Sequence, residues 1–448
     1  MKTERSSSRI EAIDVLRGFA LFGVLIVNLD TEFRVTFFEQ FAPQYATAAD
    51  RLVRTFIGFL IEFKAITIFS MLFGVGLGIQ AGTLAKRGPV RLLLARRLLV
   101  LLCFGLIHLL LIWNGDILTE YAIAGLVALP FILGPPKLML VACAASLLVF
   151  LLFCFLPPAL IFPGPAWMAR HVLDARQAYG HDGFLALLRF RLTEVPWIGI
   201  FDVFIFPRTV GLILLGAWAW NSGLLQAGRA DTRLLAKAGL TSLVLGLLLC
   251  WLDGAGLPAP LTLPAALAHI VDVLAPIVSA IGYSALTIAY FDRLPAGLAS
   301  LVAPVGRMAF TNYITQAIVL GLLFSGYGFG LLGRVGVIAG VGISIAIFAI
   351  QSLVSQWWLS HHYYGPLEWL WRTGMYGRRQ PWAREPSVPA PRGVVAGGRR
   401  AEPGGNAPAG RVYRPQHGAG PAVGTAPGGP AGQGWAGTVR AQPAPPSG

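Results

Sequence analysis

Apolar stretches of about twenty residues, separated by short polar or basic breaks, recur along the first 360 positions of the chain. A helix rises 1.5 Å per residue, so roughly twenty residues cross about 30 Å of hydrocarbon. Read this way, the pattern predicts ten membrane-crossing helices, at 11–29, 65–82, 98–113, 116–134, 138–156, 201–221, 234–252, 272–291, 308–325 and 335–358. Residues 50–62 predict a shorter helix, either at the interface or packed against the second span. The expected fold class is all-α, a polytopic membrane helix bundle.

Composition agrees with that pattern. Of 448 residues, 55% are hydrophobic and only 12% charged, far less charge than the surface of a soluble protein of this length requires. The net charge of +14 would point to nucleic acid in a soluble chain. Here the bases fall in the breaks, so the expected partner is the lipid bilayer and no nucleic acid. Arg5 and Arg9 precede the first span, and Lys86, Arg87, Arg91, Arg96 and Arg97 follow the second. Lys137, Arg229, Arg233, Lys237, Arg293, Arg307, Arg372, Arg378 and Arg379 occupy alternate later breaks. All fall on one side, which places both termini in the cytoplasm and the protein in the cell membrane.

Cys103, Cys143, Cys154 and Cys250 lie inside apolar runs without metal-like spacing, as small core residues do. The start reads as a first span rather than a cleaved signal, since its apolar run lacks an A-x-A-like site. Residues 1–380 form the transmembrane domain, with 157–198 as a long outer loop carrying His171, Asp174, Arg176, His181 and Asp182 on a partly amphipathic helix. Residues 381–448 hold 13 Pro and 15 Gly, with seven Arg and two Glu. That composition buries too little apolar surface to offset ordering entropy, so a disordered, basic cytoplasmic tail is expected.

Polar residues inside the spans carry the candidate chemistry. Asp14 and Arg17 stand one turn apart in the first span, as an i, i+3 charge pair that lowers the cost of burying either. Asn28 falls within about 40° of Asp14 on the helix wheel, extending the same stripe. The stripe either locks the bundle or lines a cavity; intramembrane ionisable groups favour function by default.

The stretch "GLIHLLLIWNGDILTEYAIAG" predicts a helical hairpin, turning outside at Asn114-Gly115. His108 lies about 10 Å below that turn on ideal helix geometry, which argues against a bond to Asp116. Glu120 and Tyr121 return at the depth of His108 and are the expected partners. A buried imidazole whose tautomer is held by a carboxylate or phenol suits a general base; the bland alternative is a satisfied core histidine. Gly74, Gly76 and Gly78 suit close helix approach better than phosphate binding. Arg307, Thr311, Asn312 and Gln316 make a polar start to the ninth span. The ring-rich "HHYYGPLEWLWRTGMYGRRQP" predicts an interfacial anchor, and His361 and His362 lack metal spacing. No metal is expected.

"RIEAIDVLRGFALFGVLIVN", "KAITIFSMLFGVGLG", "GLIHLLLIWNGDILTEYAIAG" and the stretch from "GRMAFTNYITQ" to "YGPLEWLWRTGMYGRRQP" resemble the YeiB family of bacterial membrane proteins, over residues 9–380. Its first-span motif is similar to that of the heparan-alpha-glucosaminide N-acetyltransferase group, within the transmembrane acyltransferase superfamily. The resemblance implies acyl transfer from cytosolic acyl-CoA, as co-substrate, to a glycan or small-molecule acceptor. That group carries a key histidine in the outer loop after an Asn that Asn28 matches. This chain departs from that pattern, with no histidine between Leu29 and Ile107; if a histidine acts here, it is His108, supplied by a different element. On this reading His108, Asp116, Glu120 and Tyr121 are the catalytic candidates, and Asp14, Arg17, Asn28, Arg307 and Asn312 bind substrate. A secondary transporter with the same polar stripe, or a structural membrane partner, are the alternatives.

Overall fold

The computed structural model describes residues 2–41, 47–85, 88–157, 160, 163–225, 232–252 and 263–384. Lys86, Arg87, Arg229 and the tail beyond Arg384 lie outside the described residues. Within them the chain is helical and has no β-strand, the all-α bundle that the apolar runs predict. Eight helices are long and apolar enough to cross a membrane, and two shorter apolar helices, Ile117–Ile132 and Ala309–Phe324, accompany them.

Helix α1 (Lys2–Asn28) runs into a π-helical turn, Leu29–Phe33. Residues 50–62 form α2 (Ala48–Leu60), capped by the Thr47 hydroxyl on the Asp50 amide. A left-handed Phe63 (φ 58°) then turns the chain into α3 (Lys64–Leu84). That corner is fixed by both arms of Arg54 on Glu62, at 2.6 and 2.9 Å, and by Lys64 donating to the Gly58 carbonyl. Helices α4 (Val90–Ile107) and α5 (Ile117–Ile132) make the expected hairpin, and α6 (Pro136–Phe153) follows.

The largest departure comes next. The stretch read as a long outer loop contains α7 (Pro165–Gly180) and the first half of α8 (Phe184–Asn221), which runs 38 residues through Pro196 and Pro207. Its polar start stays helical because its polar side chains find buried partners. Arg191 donates to the Ile112 carbonyl at 2.7 Å, and the fully buried Glu194 accepts from Asn114 at 2.9 Å and Tyr179 at 2.5 Å. His171 Nε2 lies 2.8 Å from the other Glu194 oxygen.

Helices α9 (Thr232–Leu252) and α10 (Ala265–Ala289) form a second hairpin, and the break expected to hold Arg293 and Arg307 contains α11 (Ala296–Arg307). Then come α12 (Ala309–Phe324), α13 (Val337–His361) and α14 (Pro366–Tyr376). Helix α11 packs along α1, where Gly306 lies on the Asp14 backbone so closely that a side-chain carbon would strike the Asp14 carbonyl. Helix α3 crosses α8, and α14 lies on α4. The main core joins α1, α5 and α12 through Leu21, Leu25, Leu118, Ala122, Tyr313 and Phe324. Beyond α14, Trp382 packs on Trp358, His362 and Trp369.

Candidate functional site

Two polar regions are built around that core. In the first, α4 does not end as an α-helix. From His108 to Ile112 it widens into a π-helical turn, closed by the Trp113 amide on the His108 carbonyl at 2.8 Å, and Trp113 itself is extended. The chain then reverses, and Asp116 caps α5. Gly105 permits the close approach: a side chain there would meet the Thr119 backbone. As a result His108 Nδ1 lies 2.8 Å from Asp116 Oδ1, both side chains fully buried. The expectation from ideal helix geometry, that the turn stands too far above His108 for this bond, is thereby corrected.

Asp116 Oδ1 also accepts from the Leu118 amide at 3.1 Å, and Oδ2 from the Thr119 amide at 2.7 Å. A carboxylate occupied as an acceptor by backbone N–H groups meets the imidazole as an acceptor as well. In the neutral imidazole that contact puts the proton on Nδ1 and leaves the lone pair on Nε2. Nε2 is buried and has no hydrogen-bond partner among the described residues. The ring sits between Trp113 and Tyr313, with centroids at 6.1 and 5.3 Å. Glu32 completes this layer, its carboxyl filling the space where a side chain at Gly115 would stand.

Glu120 and Tyr121, expected beside His108, turn elsewhere. Glu120 faces Thr209 and Arg208 on α8. The Tyr121 hydroxyl shares a 2.7 Å hydrogen bond with Ser70. The reason is angular: Asp116, at the cap, already occupies the imidazole, and Glu120 and Tyr121, about one turn further on, are rotated toward α8 and α3.

The second region is a cavity of about 460 Å³ between α1, α3, α4, α12 and α14. It brings together Asp14, Arg17, Arg307 and Tyr121 from the sequence-based candidates, and adds Arg97, Glu368, Trp371 and Arg372. Asp14 and Arg17 are paired as expected, at 2.9 Å, and Arg17 also reaches the Gly306 carbonyl. Glu368 accepts from the Phe310 and Thr311 amides and, at 2.6 Å, from the Thr311 hydroxyl, holding the start of α12. Burial lifts its carboxyl above the ordinary value against those bonds. The lining also includes the apolar and aromatic side chains Phe69, Phe73, Leu118, Tyr121 and Tyr313. Tyr313 thus belongs to both regions.

Asn28 and Asn312 are not among the lining residues. Asn28 ends α1 where the π-helical turn begins. Asn312 donates to the Val305 carbonyl and the Ser355 hydroxyl, tying α11 and α13 to α12. Arg97, read from the sequence as a loop charge, lies inside α4, because that helix starts at Val90. Among the described residues no group of three His, Cys, Asp or Glu is placed to hold a metal ion.

Similarity to known proteins accords with this architecture. A family model described as "Protein of unknown function (DUF418)" matches residues 219–378, the stretch that supplies Arg307, Tyr313, Glu368 and Arg372. The chain is 32% identical over 415 residues to "Uncharacterized protein YxaH" of Bacillus subtilis (strain 168), covering 86% of this chain and 98% of that one. It is 31% identical over 380 residues to "Uncharacterized 39.9 kDa protein in amylase 3'region" of Bacillus acidopullulyticus, covering 83% and 95%. It is 28% identical over 399 residues to "Uncharacterized protein YeiB" of Escherichia coli (strain K12), covering 80% and 94%.

Proposed function

The chain belongs to the YeiB-like DUF418 family. From the resemblance of its first span to the acetyltransferase group's motif, we propose that its activity is acyl transfer, from cytosolic acyl-CoA to a hydroxyl or amine acceptor. The observation that carries this reading is the buried His108–Asp116 pair, with Nδ1 engaged and Nε2 free. An imidazole held in that tautomer is a general base aimed away from its own carboxylate.

In the proposed step, His108 Nε2 takes the acceptor's proton as its oxygen or nitrogen attacks the thioester carbonyl. The carbon–sulfur bond breaks, and the imidazolium returns the proton to the leaving thiolate, so that free thiol and acylated acceptor are the products. Tyr313, between the cavity and the imidazole, supplies a phenolic donor for the oxyanion. The donor enters by the cavity, with Asp14, Arg17 and Arg307 at its mouth. On this reading the protein sits in the cell membrane, both termini and the cavity mouth facing the cytoplasm.

The test is thiol release from acetyl-CoA by the purified full chain in native-lipid vesicles, supplied with cell-envelope extract as acceptor. His108→Gln keeps a donor and an acceptor in similar volume but takes up no proton near neutral pH. It should fold normally and lose about 10²–10⁴ in rate. Near-full release by that variant, or none by the wild type with acceptor present, defeats the proposal.

A further inference from the structure

Arg97 is hard to explain as a structural residue. Its guanidinium stacks on Trp371, 4.1 Å from the ring centroid, while its carbonyl accepts from the Trp371 indole N–H at 2.8 Å. The ring contact holds the side chain, and the carbonyl contact holds the backbone. Neither neutralises the charge: among the described residues Nη1 is buried without a hydrogen-bond partner, and no carboxylate forms an ion pair with it. A buried charged donor without a partner costs more than the 1–3 kcal/mol of a neutral one, roughly.

Its surroundings increase the imbalance. Arg17, Arg307 and Arg372 line the same cavity, against only two carboxyls, Asp14 and Glu368. Both carboxyls are already engaged, Asp14 by Arg17 and Glu368 by the start of α12. Arg372 lies over the Tyr364 ring at 4.3 Å. Arg97, Arg307 and Arg372 therefore line the cavity with no carboxylate among the described residues left to pair with them, and Arg372 and Arg17 stand close enough to Arg97 to repel its charge. Gln80 Oε1, in the same lining, is a buried acceptor that also lacks a partner.

We infer that this arginine end of the cavity binds a phosphate group, the charged head of an amphiphile whose apolar part runs toward Leu118 and Tyr121. Several forked cations at one point match a multiply charged oxyanion better than a single carboxylate. The cavity volume is within the range of small-molecule sites, and its lining combines arginines with apolar and aromatic side chains. Either a soluble phosphoester carrying an acyl chain or a phospholipid has that chemistry. The inference stands whether or not His108 performs acyl transfer.

The experiment uses the full chain purified in a neutral detergent. One arm measures coenzyme A binding by calorimetry, with inorganic pyrophosphate as competitor. The other compares retention of dioleoyl phosphatidic acid and dioleoylglycerol by native mass spectrometry. Wild type should bind coenzyme A in competition with pyrophosphate, or keep phosphatidic acid in preference to dioleoylglycerol; the first outcome identifies a soluble source, the second a lipid. Arg97→Gln should weaken that binding about tenfold or more. Arg372→Gln, at an exposed position, should weaken it in the same direction. His108→Gln should bind as wild type does, which separates this site from the chemistry at His108. Unchanged binding in both arginine variants, or no preference for phosphate in the wild type, overturns the inference.

Discussion

The two polar regions flanking Tyr313 are built on opposite rules. Around His108 the polar atoms face each other. Asp116 accepts three hydrogen bonds and Glu194 holds Asn114, His171 and Tyr179, so few atoms remain to meet a ligand. Around Arg97 four guanidiniums line a cavity against two carboxyls that are already engaged. Buried charge is tolerated where it is paired, and intramembrane charge left unpaired in a cavity marks a ligand path. On the proposed function, the first region serves chemistry at one atom, His108 Nε2. The second is incomplete without something from outside the chain.

The largest effect that tests this contrast comes from Asp116. Asp116→Asn keeps shape and capping capacity but offers the imidazole an amide, allowing the other tautomer. Turnover in the thiol-release assay should fall by about 10²–10⁴, while coenzyme A or phosphatidic acid binding stays at the wild-type level. If binding falls together with turnover, the two regions are one site and the contrast fails.

Next in size are two glycine substitutions of the same kind. Gly306→Ala drives a methyl into the Asp14 carbonyl at the cavity, and Gly105→Ala drives one into the Thr119 backbone beside His108. Each should lower thermal stability, by about 1–3 kcal/mol. Gly306→Ala should also weaken phosphate binding, whereas Gly105→Ala should lower turnover with binding intact. Identical profiles for both would mean that the regions move together.

The sequence reveals these two regions unequally. Lipid requires long apolar helices, so the spans stand out in the hydropathy pattern; the Asp14–Arg17 pair follows from spacing, and the α4–α5 hairpin from Asn114-Gly115. His108–Asp116 does not stand out, because a π-helical turn leaves no signature in residue type and ideal geometry keeps the partners apart. Arg97 is masked by its neighbours: five bases near one break satisfy a topology rule, and nothing in the pattern singles out the one that faces a cavity. Glu194 hides differently. A polar stretch with Pro196 reads as a loop until His171 and Tyr179, both on α7, are seen to pair with it.

The Asp14–Arg17 pair sharpens the contrast at a smaller scale. Replacing either alone, by Asn or Gln, removes the partner of a partly buried charge. Replacing both removes the charge as well, so the double variant should be less costly than the sum by about 1 kcal/mol in thermal unfolding. Strict additivity would show that the cavity tolerates Arg17 unpaired, which would make Arg17 a further free cation beside Arg97.

The smallest effect is at the His108 end, where helix α7 is held by an ion pair. Arg176 bonds Glu39, which also accepts from the Thr36 amide and hydroxyl, each at 3.3 Å. Burial pushes the Glu39 carboxyl up, but the Arg176 bond and charge together with the Thr36 bonds outweigh it, and the net position is below the ordinary 4.5. A carboxyl depressed by folding contributes stability that is complete above its unfolded value and is lost as pH falls through the folded one. Melting temperature should therefore drop between about pH 5 and about pH 3 in the wild type, and Glu39→Gln should flatten that part of the profile. Since Arg176 is half-exposed, the difference should stay within about 0–1 kcal/mol. Phosphate binding at the Arg97 end should not differ between the two proteins at any pH in that window. A Glu39→Gln profile as steep as the wild type's would place the acid sensitivity elsewhere; a binding difference would show that the outer helix and the cavity are coupled.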